Sequence, residues 1–163
     1  MTQFLTNLRL LDPQAGTLEP AAVLVRNGVI AEVLADGATA PEGAELVDCG
    51  GHILAPGIVD IGVKVCEPGE RHKESYRSAG LAAAAGGVTT MVTRPDTDPA
   101  IDSPETLEFV TRRANEAAPV NVVPMAALTK GREGREMTEI GFLMDAGAAA
   151  FTDCDRVVTD TKV

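Results

Sequence analysis

The sequence predicts an α/β protein in which a small β-module is followed by a parallel sheet with helical connections. Short strand candidates lie between residues 21 and 54, and from Ala55 onward apolar, β-branched runs alternate with helical segments. The order β-α-β-α-β-α-β implies parallel strands joined by right-handed crossovers. Two architectures fit this order: an open doubly wound sheet, or part of a (β/α)8 barrel, which usually needs roughly 200–250 residues.

The composition excludes several classes of protein and partner. With 45% hydrophobic residues, the 163-residue chain is too apolar to be disordered. Its net charge of −10 argues against nucleic acid or an anionic membrane as a partner. No apolar run approaches the roughly 20 residues that span a bilayer. The three cysteines form no C-x-x-C pair and no secretory signal is visible, which predicts a cytoplasmic location.

The first part of the chain is rich in strand and turn signals. Two apolar runs, 21–25 and 29–34, flank Asn27-Gly28. An Asn-Gly pair between such runs favours a tight hairpin, because both residues tolerate a positive φ. A loop is predicted over 36–45, and residues 46–47 and 52–54 predict further short strands. Together these elements predict a small β-sandwich-like module over residues 1–54.

The second part, residues 55–163, opens with an apolar, β-branched run at 58–65 that predicts a buried strand. An alanine-rich segment predicts a helix over 75–85 that stops at Gly86-Gly87. A further strand is predicted over 88–93.

The next helix is predicted to begin at Asp102-Ser103-Pro104-Glu105, where a cap residue precedes a proline and an acid in the first turn. It ends at Pro119, and a strand follows over 120–127. A helix over 136–146, stopped by Gly147, and a strand over 148–151 complete the alternation before a tail at 157–163. The apolar stripes of the two helices consist of Leu107, Val110 and Ala114, and of Ile140, Leu143 and Met144.

Parallel strands place functional residues at their carboxyl ends, so the polar residues that follow the predicted strands form the candidate site. No phosphate-binding glycine motif or nucleophile elbow is present, and His52 and His72 lie outside any catalytic motif. Each polar residue alone could be a solvated loop residue, but together they line one rim. They are Lys64, Cys66, Glu67, Arg94, Asp96, Asp98, Thr129, Lys130, Asp153, Cys154 and Asp155.

Several blocks of the sequence resemble one family. They begin with Ala55-Pro56-Gly57-Ile58-Val59-Asp60 and continue through residues 67–74, 84–90, 94–99, 101–105, 128–131, 145–148 and 151–153. The blocks have the order and spacing of the class I dihydroorotases of the amidohydrolase superfamily, and they cover most of residues 50–156. The chain therefore resembles the N-terminal part of that family, and the β-module also fits it.

The resemblance implies that residues 55–163 form the N-terminal half of a (β/α)8 metal-dependent-hydrolase barrel. The family uses zinc to open or close the cyclic amide of dihydroorotate in pyrimidine biosynthesis. Its first metal ligands are two histidines in a His-x-His motif at the end of the first strand. An arginine two positions later, and an asparagine after the second strand, contact the substrate carboxylate.

The sequence departs from the family at these positions. Gly62 and Lys64 stand where the two histidines belong, and Cys66 stands in place of the arginine. Asp96 replaces the asparagine and would repel a carboxylate. Asp153 is kept, and it matches the family's aspartate ligand after the fourth strand. Because glycine offers no ligand atom and a protonated lysine repels a cation, no zinc or other cofactor is expected.

These substitutions predict a dihydroorotase homologue that is catalytically inactive. Relatives of this kind assemble with aspartate carbamoyltransferase, and the resemblance implies that partner here. The alternative is an active dihydroorotase or a related cyclic-amide hydrolase with an altered metal site. A retained Asp153 in a dry site needs a counter-charge. We therefore expect the Lys64 ammonium to lie near the vacated metal position and to pair with Asp153 directly or through water, the alternative being a solvent-facing lysine.

The chain ends where the family would begin its fourth barrel helix, so a truncated barrel is expected. An expression fragment, a proteolytic remnant and a natural truncation are all compatible with the sequence. Half a barrel exposes sheet edges and apolar faces. Self-association of the chain is therefore expected as well.

Overall fold

The computed structural model describes residues 1–160 and residue 162 of the chain. The chain divides into two compact units, Met1–Pro56 and Gly57–Val163. The sequence places this boundary between residues 54 and 55, which is two residues before the division in the structure. Each unit contains buried apolar clusters of its own.

The first unit consists of five strands in a single sheet. They are β1 (Thr2–Asp12), β2 (Thr17–Arg26), β3 (Val29–Ala35), β4 (Glu45–Asp48) and β5 (Ile53–Leu54). The order is β3-β2-β1-β4, and β5 also pairs with β1. The predicted hairpin is confirmed, because Asn27 and Gly28 turn between β2 and β3 with φ values of 52° and 78°. Among the described residues, the unit is one sheet and not two sheets packed face to face.

The central strand β1 is the element that the sequence does not predict. Its pairing with β2 shifts register between Leu5 and Leu8, and Asn7 takes a φ of 53°. This bulge interrupts the alternation of apolar and polar residues that identifies a strand in a sequence. Phe4 and Leu8 are nevertheless buried, in separate core clusters of the sheet.

The second unit is a parallel sheet with helices between its strands, as predicted. The strands are β6 (Ile58–Val63), β7 (Val88–Thr93) and β8 (Asn121–Pro124), in the order β6-β7-β8. The helices are α1 (Tyr76–Ala85), α2 (Pro104–Ala117) and α3 (Ile140–Asp145), with a 3-10 turn at Lys130–Arg132. Both strand pairs are parallel.

The first two helices begin and end where their cap residues predict. The Ser75 side chain accepts from the Ser78 N–H at the start of α1, and Gly86 is the C-cap. In α2, Ser103 is the N-cap and Pro104 is the first helical residue. The predicted apolar stripe of α2 faces the core, since its three residues are 0–1% exposed: Leu107, Val110 and Ala114.

The strand β6 is shorter and more exposed than predicted. It ends at Val63, not at residue 65, and Ile58, Val59 and Ile61 are 56%, 55% and 73% exposed. The reason is its position, because within the described residues β6 pairs with β7 alone and forms an edge of the sheet. An apolar run indicates a strand suited to burial, but it does not show which neighbours cover that strand.

The last predicted elements are also shorter than expected. α3 has only six residues, because residues 136–138 form hydrogen bonds with residues 128–130 instead of continuing the helix. The Lys130 N–H donates to the Glu136 carbonyl, and the Thr138 N–H donates to the Leu128 carbonyl. Of the predicted apolar face, Leu143 is buried and Met144 is 60% exposed. The strand predicted at 148–151 is a single parallel bridge between Ala126 and Phe151. The predicted strand at 120–127 ends early, at Pro124.

Two remaining predictions concern membrane-spanning helices and the last residues of the chain. None of the helices in the described residues is long and apolar enough to cross a membrane. The predicted tail at 157–163 has no helix or strand in its described part, and residues 161 and 163 lie outside the described residues.

Gly80→Ala in α1 is expected to destabilise the protein, although alanine is the better helix former. A Cβ at residue 80 would lie 2.6 Å from Cδ of Pro119 and 3.1 Å from Cβ of Ala118. Overpacking costs about 1–3 kcal/mol, against a gain in helix propensity of at most about 1 kcal/mol. Urea or thermal unfolding measures the change in the free energy of unfolding.

Gly141→Ala in α3 is the matched control, because a Cβ there meets no atom within 4 Å. That variant should be as stable as the unmodified protein, or more stable by up to about 1 kcal/mol. Equal stabilities of the two variants would contradict close packing of α1 against Ala118 and Pro119.

Candidate functional site

The carboxyl ends of the parallel strands and the segment around residue 153 come together, as predicted. They border an open cleft of about 490 Å³. Arg94 enters the cleft from the end of β7, and Cys154 from the segment after the Ala126–Phe151 bridge. The residues that line it are Gly62, Arg94, Met125, Ala150, Phe151, Thr152, Cys154 and Asp155.

Asp153, which the resemblance matches to a metal ligand of the family, is buried and accepts hydrogen bonds from the loop after β8. Its Oδ1 accepts from the backbone N–H groups of Leu128 and Thr129, both at 3.0 Å. Its Oδ2 accepts from the Thr129 hydroxyl at 2.5 Å. Three donors therefore stabilise this carboxylate without a cationic side chain.

The predicted direct pairing of Lys64 with Asp153 is wrong. Lys64 Nζ lies 2.9 Å from Oδ2 of Asp96, and the lysine side chain is 53% exposed. The expectation failed because it assumed that Asp153 needs a positive counter-charge, whereas backbone and hydroxyl donors satisfy it. Asp96 holds the lysine instead, and its hydrogen bond and negative charge raise the pKa of the Lys64 ammonium.

Asp96 is the centre of an ion-pair cluster that joins the ends of β6 and β7. Its Oδ2 accepts from Lys64 Nζ and from Arg94 Nη2, the latter at 3.0 Å. Its side chain is 5% exposed, and its Oδ1 is buried without a hydrogen-bond partner. The neighbouring Cys154 and the charge of Asp96 raise the pKa of Arg94, against the opposing effect of burial. Arg94 Nε is also buried without a partner.

Gly62 and Cys66, the other substituted positions, contribute no side chain to this cluster. Gly62 has a φ of +94° at an irregularity in the pairing of β6 with β7, between Ile61 and Val63. A residue with a Cβ is strained in that conformation. Cys66 is half-buried, and its carbonyl oxygen accepts from the Glu70 N–H in a turn.

Arg132 lies beside Asp153, and no sequence pattern predicts its role there. Its guanidinium donates to the Asp153 carbonyl oxygen at 3.1 and 3.3 Å and pairs with the Asp155 carboxylate. The side chain is 11% exposed. The surrounding glycine, arginine and glutamate residues are typical of a solvated loop, so no local pattern indicates that this arginine is buried.

Glu67 is a buried carboxylate that ties the segment after β6 to two helices. Its Oε1 accepts from Arg113 Nε at 2.7 Å and lies 3.5 Å from Arg71 Nε. Its Oε2 accepts from the N–H of Tyr76, the first residue of α1. Burial raises the pKa of the Glu67 carboxyl, but these hydrogen bonds and positive charges outweigh burial and lower the pKa overall.

The residues present do not fit a zinc ion. Structural and catalytic zinc sites need three or four protein ligands, drawn from Cys, His, Asp and Glu. Gly62 has no ligand atom, the Lys64 ammonium donates to Asp96, and Asp153 is a single carboxylate. Across residues 1–160 and 162, no group of three or more such side chains could hold a metal ion. His52, in the first unit, contacts the Cys49 carbonyl oxygen through Nδ1.

The parallel sheet, its helices and the cleft at the strand ends define a mixed α/β fold that is consistent with part of a barrel. The L-hydantoinase (dihydropyrimidinase) from Arthrobacter aurescens has a similar fold, with a TM-score of 0.78 and 24% sequence identity. The match covers 93% of this chain and 32% of that protein. A D-hydantoinase structure is also similar, with a TM-score of 0.71 and 21% identity.

The particular family follows from the sequence comparison. Residues 51–162 match the family described as dihydro-orotase-like, and the chain belongs to that family. It is 39% identical over its full length to a dihydroorotase of Pelobacter propionicus and 41% identical to one of Bacillus cytotoxicus. The chain spans 38% and 37% of the length of these two relatives.

Glu67→Gln is expected to lower the free energy of unfolding at pH 7 by about 2 kcal/mol, because charge-assisted hydrogen bonds to a buried group are weakened. The pKa of Glu67 is lowered in the folded state, so its stabilising contribution is present above the unfolded value of about 4.5. It is lost as the pH falls through the folded pKa. Urea unfolding at several pH values should therefore show the difference shrinking below about pH 4.5.

Glu116→Gln is the control for this variant. Glu116 lies 3.8 Å from the same Arg113, but its side chain is 59% exposed. Exposed pairs contribute little, so this variant should change the free energy of unfolding by less than about 1 kcal/mol at any pH. A loss of stability in Glu67→Gln that does not vary with pH would show that the carboxylate charge is not what matters.

Proposed function

We propose that the protein is a dihydroorotase homologue of pyrimidine biosynthesis that lacks hydrolytic activity and acts as a structural or regulatory partner of aspartate carbamoyltransferase. The observation that carries the proposal is the replacement of the His-x-His motif by Gly62 and Lys64, with the lysine engaged by Asp96. Membership of the dihydro-orotase-like family supports the first part. The partner comes from the resemblance to non-catalytic relatives.

The lack of activity follows from what hydrolysis of a cyclic amide requires. A metal ion would hold the attacking hydroxide and polarise the carbonyl group of the substrate. A lysine ammonium has three donors and no acceptor, so Lys64 supplies no ligand. Of the family's ligand positions within the described residues, Asp153 alone keeps a ligand, and a single carboxylate does not make a zinc site.

The same positions also lose their complementarity to the family's substrate. Cys66 stands where an arginine would reach the substrate carboxylate, and it brings no positive charge. Asp96 places a negative charge where the family has an asparagine. Its side chain is 5% exposed. Metal binding and substrate binding are therefore impaired by separate substitutions, which favours loss of activity over a changed substrate.

The buried carboxylates near the carboxyl ends of the strands are nevertheless hydrogen-bonded to protein groups, which favours a structural role. Asp153 is satisfied by three donors, and Glu67 binds two helices. Self-association remains a proposal that the exposed apolar residues of β6 support: Ile58, Val59 and Ile61. Light scattering that shows a monomer at high concentration would contradict it.

The alternative is an active cyclic-amide hydrolase with an altered site. The open cleft of about 490 Å³ at the strand ends favours it, since this is the position at which barrel enzymes bind their substrates. The two proposals differ in metal content and turnover.

The complete protein, purified without added metal, is expected to contain less than about 0.1 zinc per chain after dialysis, since the described residues offer one ligand instead of three or four. Dihydroorotate turnover should not exceed that of the blank. Elemental analysis and a spectrophotometric assay measure the two quantities. Stoichiometric zinc together with turnover would replace the proposal with the alternative.

Aspartate carbamoyltransferase from the same organism is expected to co-elute with the complete protein on size exclusion. Separate elution of the two proteins at micromolar concentrations would contradict the proposed partnership, whatever the metal content.

A further inference from the structure

The short helix α3 presents an aromatic side chain to solvent. Phe142 is 66% exposed, although its neighbour Leu143 is 0% exposed. An open hollow of about 280 Å³ borders the ring, and a Cβ added at Gly141 would meet no atom within 4 Å. The surface at Phe142 therefore has room for another side chain. The residues that line the hollow are Glu139, Gly141, Phe142 and Asp145.

Two carboxylates flank the ring of Phe142. Glu139 lies three residues before it and Asp145 three residues after it, a spacing that places side chains on one helix face with Cβ atoms about 5–6 Å apart. Both acids are exposed, and among the described residues neither belongs to an ion pair. Lys130 is a nearby cation, but its ammonium pairs with Glu136. That contact is the main cause of its raised pKa, to which the charge of Glu139 adds less.

The other exposed phenylalanine, in α2, already has a cation of its own. Phe109 is 43% exposed, and the guanidinium of Arg112, three residues later, lies 5.9 Å from the centre of its ring. A contact of this kind is a cation–π interaction. At Phe142 the residues three positions away are acids, which do not make that contact. The ring and its two carboxylates are therefore complementary to a cation from outside the chain.

This face of α3 does not favour the stability of the helix by itself. Asp145 is the last helical residue, at the end where the helix dipole disfavours a negative charge. The exposed ring of Phe142 also gains little of the free energy that burial of an aromatic side chain releases. A cationic partner that covers the ring would offset both effects.

We propose that Glu139, Phe142 and Asp145 form a docking surface for an arginine side chain in a basic segment of a partner protein. A guanidinium is flat and stacks on an aromatic ring, while the N–H groups at its edge donate to carboxylates. Phenylalanine and arginine are both enriched in protein interfaces. The net charge of −10 attracts a basic segment over a longer range. The inference goes beyond the proposed function, since it depends neither on catalytic inactivity nor on which protein the partner is.

The test measures binding of a fluorescein-labelled tetra-arginine peptide to the complete protein by fluorescence anisotropy, at an ionic strength of about 0.02 M, where screening is weak. Phe142→Ser is expected to weaken binding at least about threefold, because it removes the ring and leaves every charge in place. Phe109→Ser is the matched control, since that ring already faces Arg112. Its affinity should equal that of the unmodified protein.

The contribution of the two carboxylates is measured with a second pair of variants. Glu139→Gln with Asp145→Asn is expected to weaken binding at least about threefold. Glu32→Gln with Asp36→Asn is the control, because it removes two exposed acids from the first unit, and it should weaken binding by less than about 1.5-fold. All four side chains are exposed, so both variants should keep the melting temperature of the unmodified protein.

A tetra-lysine peptide separates stacking from charge. It should bind the unmodified protein at least about twofold more weakly than the tetra-arginine peptide, because an ammonium has no flat face. Equal affinity of the two peptides, equal affinity within either pair of variants, or no binding to the unmodified protein would overturn the proposal. A change of oligomeric state in Phe142→Ser would also overturn it, since a second copy of the chain would then be what covers the ring.

Discussion

Parallel pairing of β6, β7 and β8 is the constraint on which the candidate site depends. Because the three strands run in one direction, their carboxyl ends and the loops that follow them meet at one edge of the sheet. Lys64, Arg94 and Thr129 are distant in the sequence and come to that edge for this reason alone. The chemistry available there is decided by which side chains the loops carry, and not by the fold.

Three carboxylates are buried at or near this edge, and the chain neutralises each in a different way. Asp153 uses backbone N–H groups and a hydroxyl, Asp96 uses two cations, and Glu67 uses an arginine and the first N–H of a helix. A buried charge without partners would cost several kcal/mol. Since the partners come from different strands and helices, the same contacts that satisfy these charges also hold the loops together. Groups of the protein itself therefore partner each of these three carboxylates.

Much of the second unit could be predicted because its signals are local. Ser75, Ser103 and Gly86 act within one helical turn, so caps and stops appear directly in the sequence. The central strand β1 was not predicted, because the inserted residue of its bulge breaks the two-residue period of apolar and polar side chains. The helix predicted over 136–146 has only six residues, because in the segment before it the Lys130 N–H donates to the Glu136 carbonyl and the Thr138 N–H donates to the Leu128 carbonyl. Those partners are close in space but are not part of any helical pattern.

The sequence by itself determined the alternation of strands and helices in the second unit, the family, and the presence of Gly62 and Lys64 where the family resemblance places two histidines. These depend on residue identity and spacing, which are visible without coordinates. Only the tertiary structure decided which acid holds Lys64, that Asp153 needs no cation, and that Arg132 is buried beside it. Ion pairs and burial depend on distances between residues far apart in the chain. A sequence shows that opposite charges are present, but folding selects which of them meet.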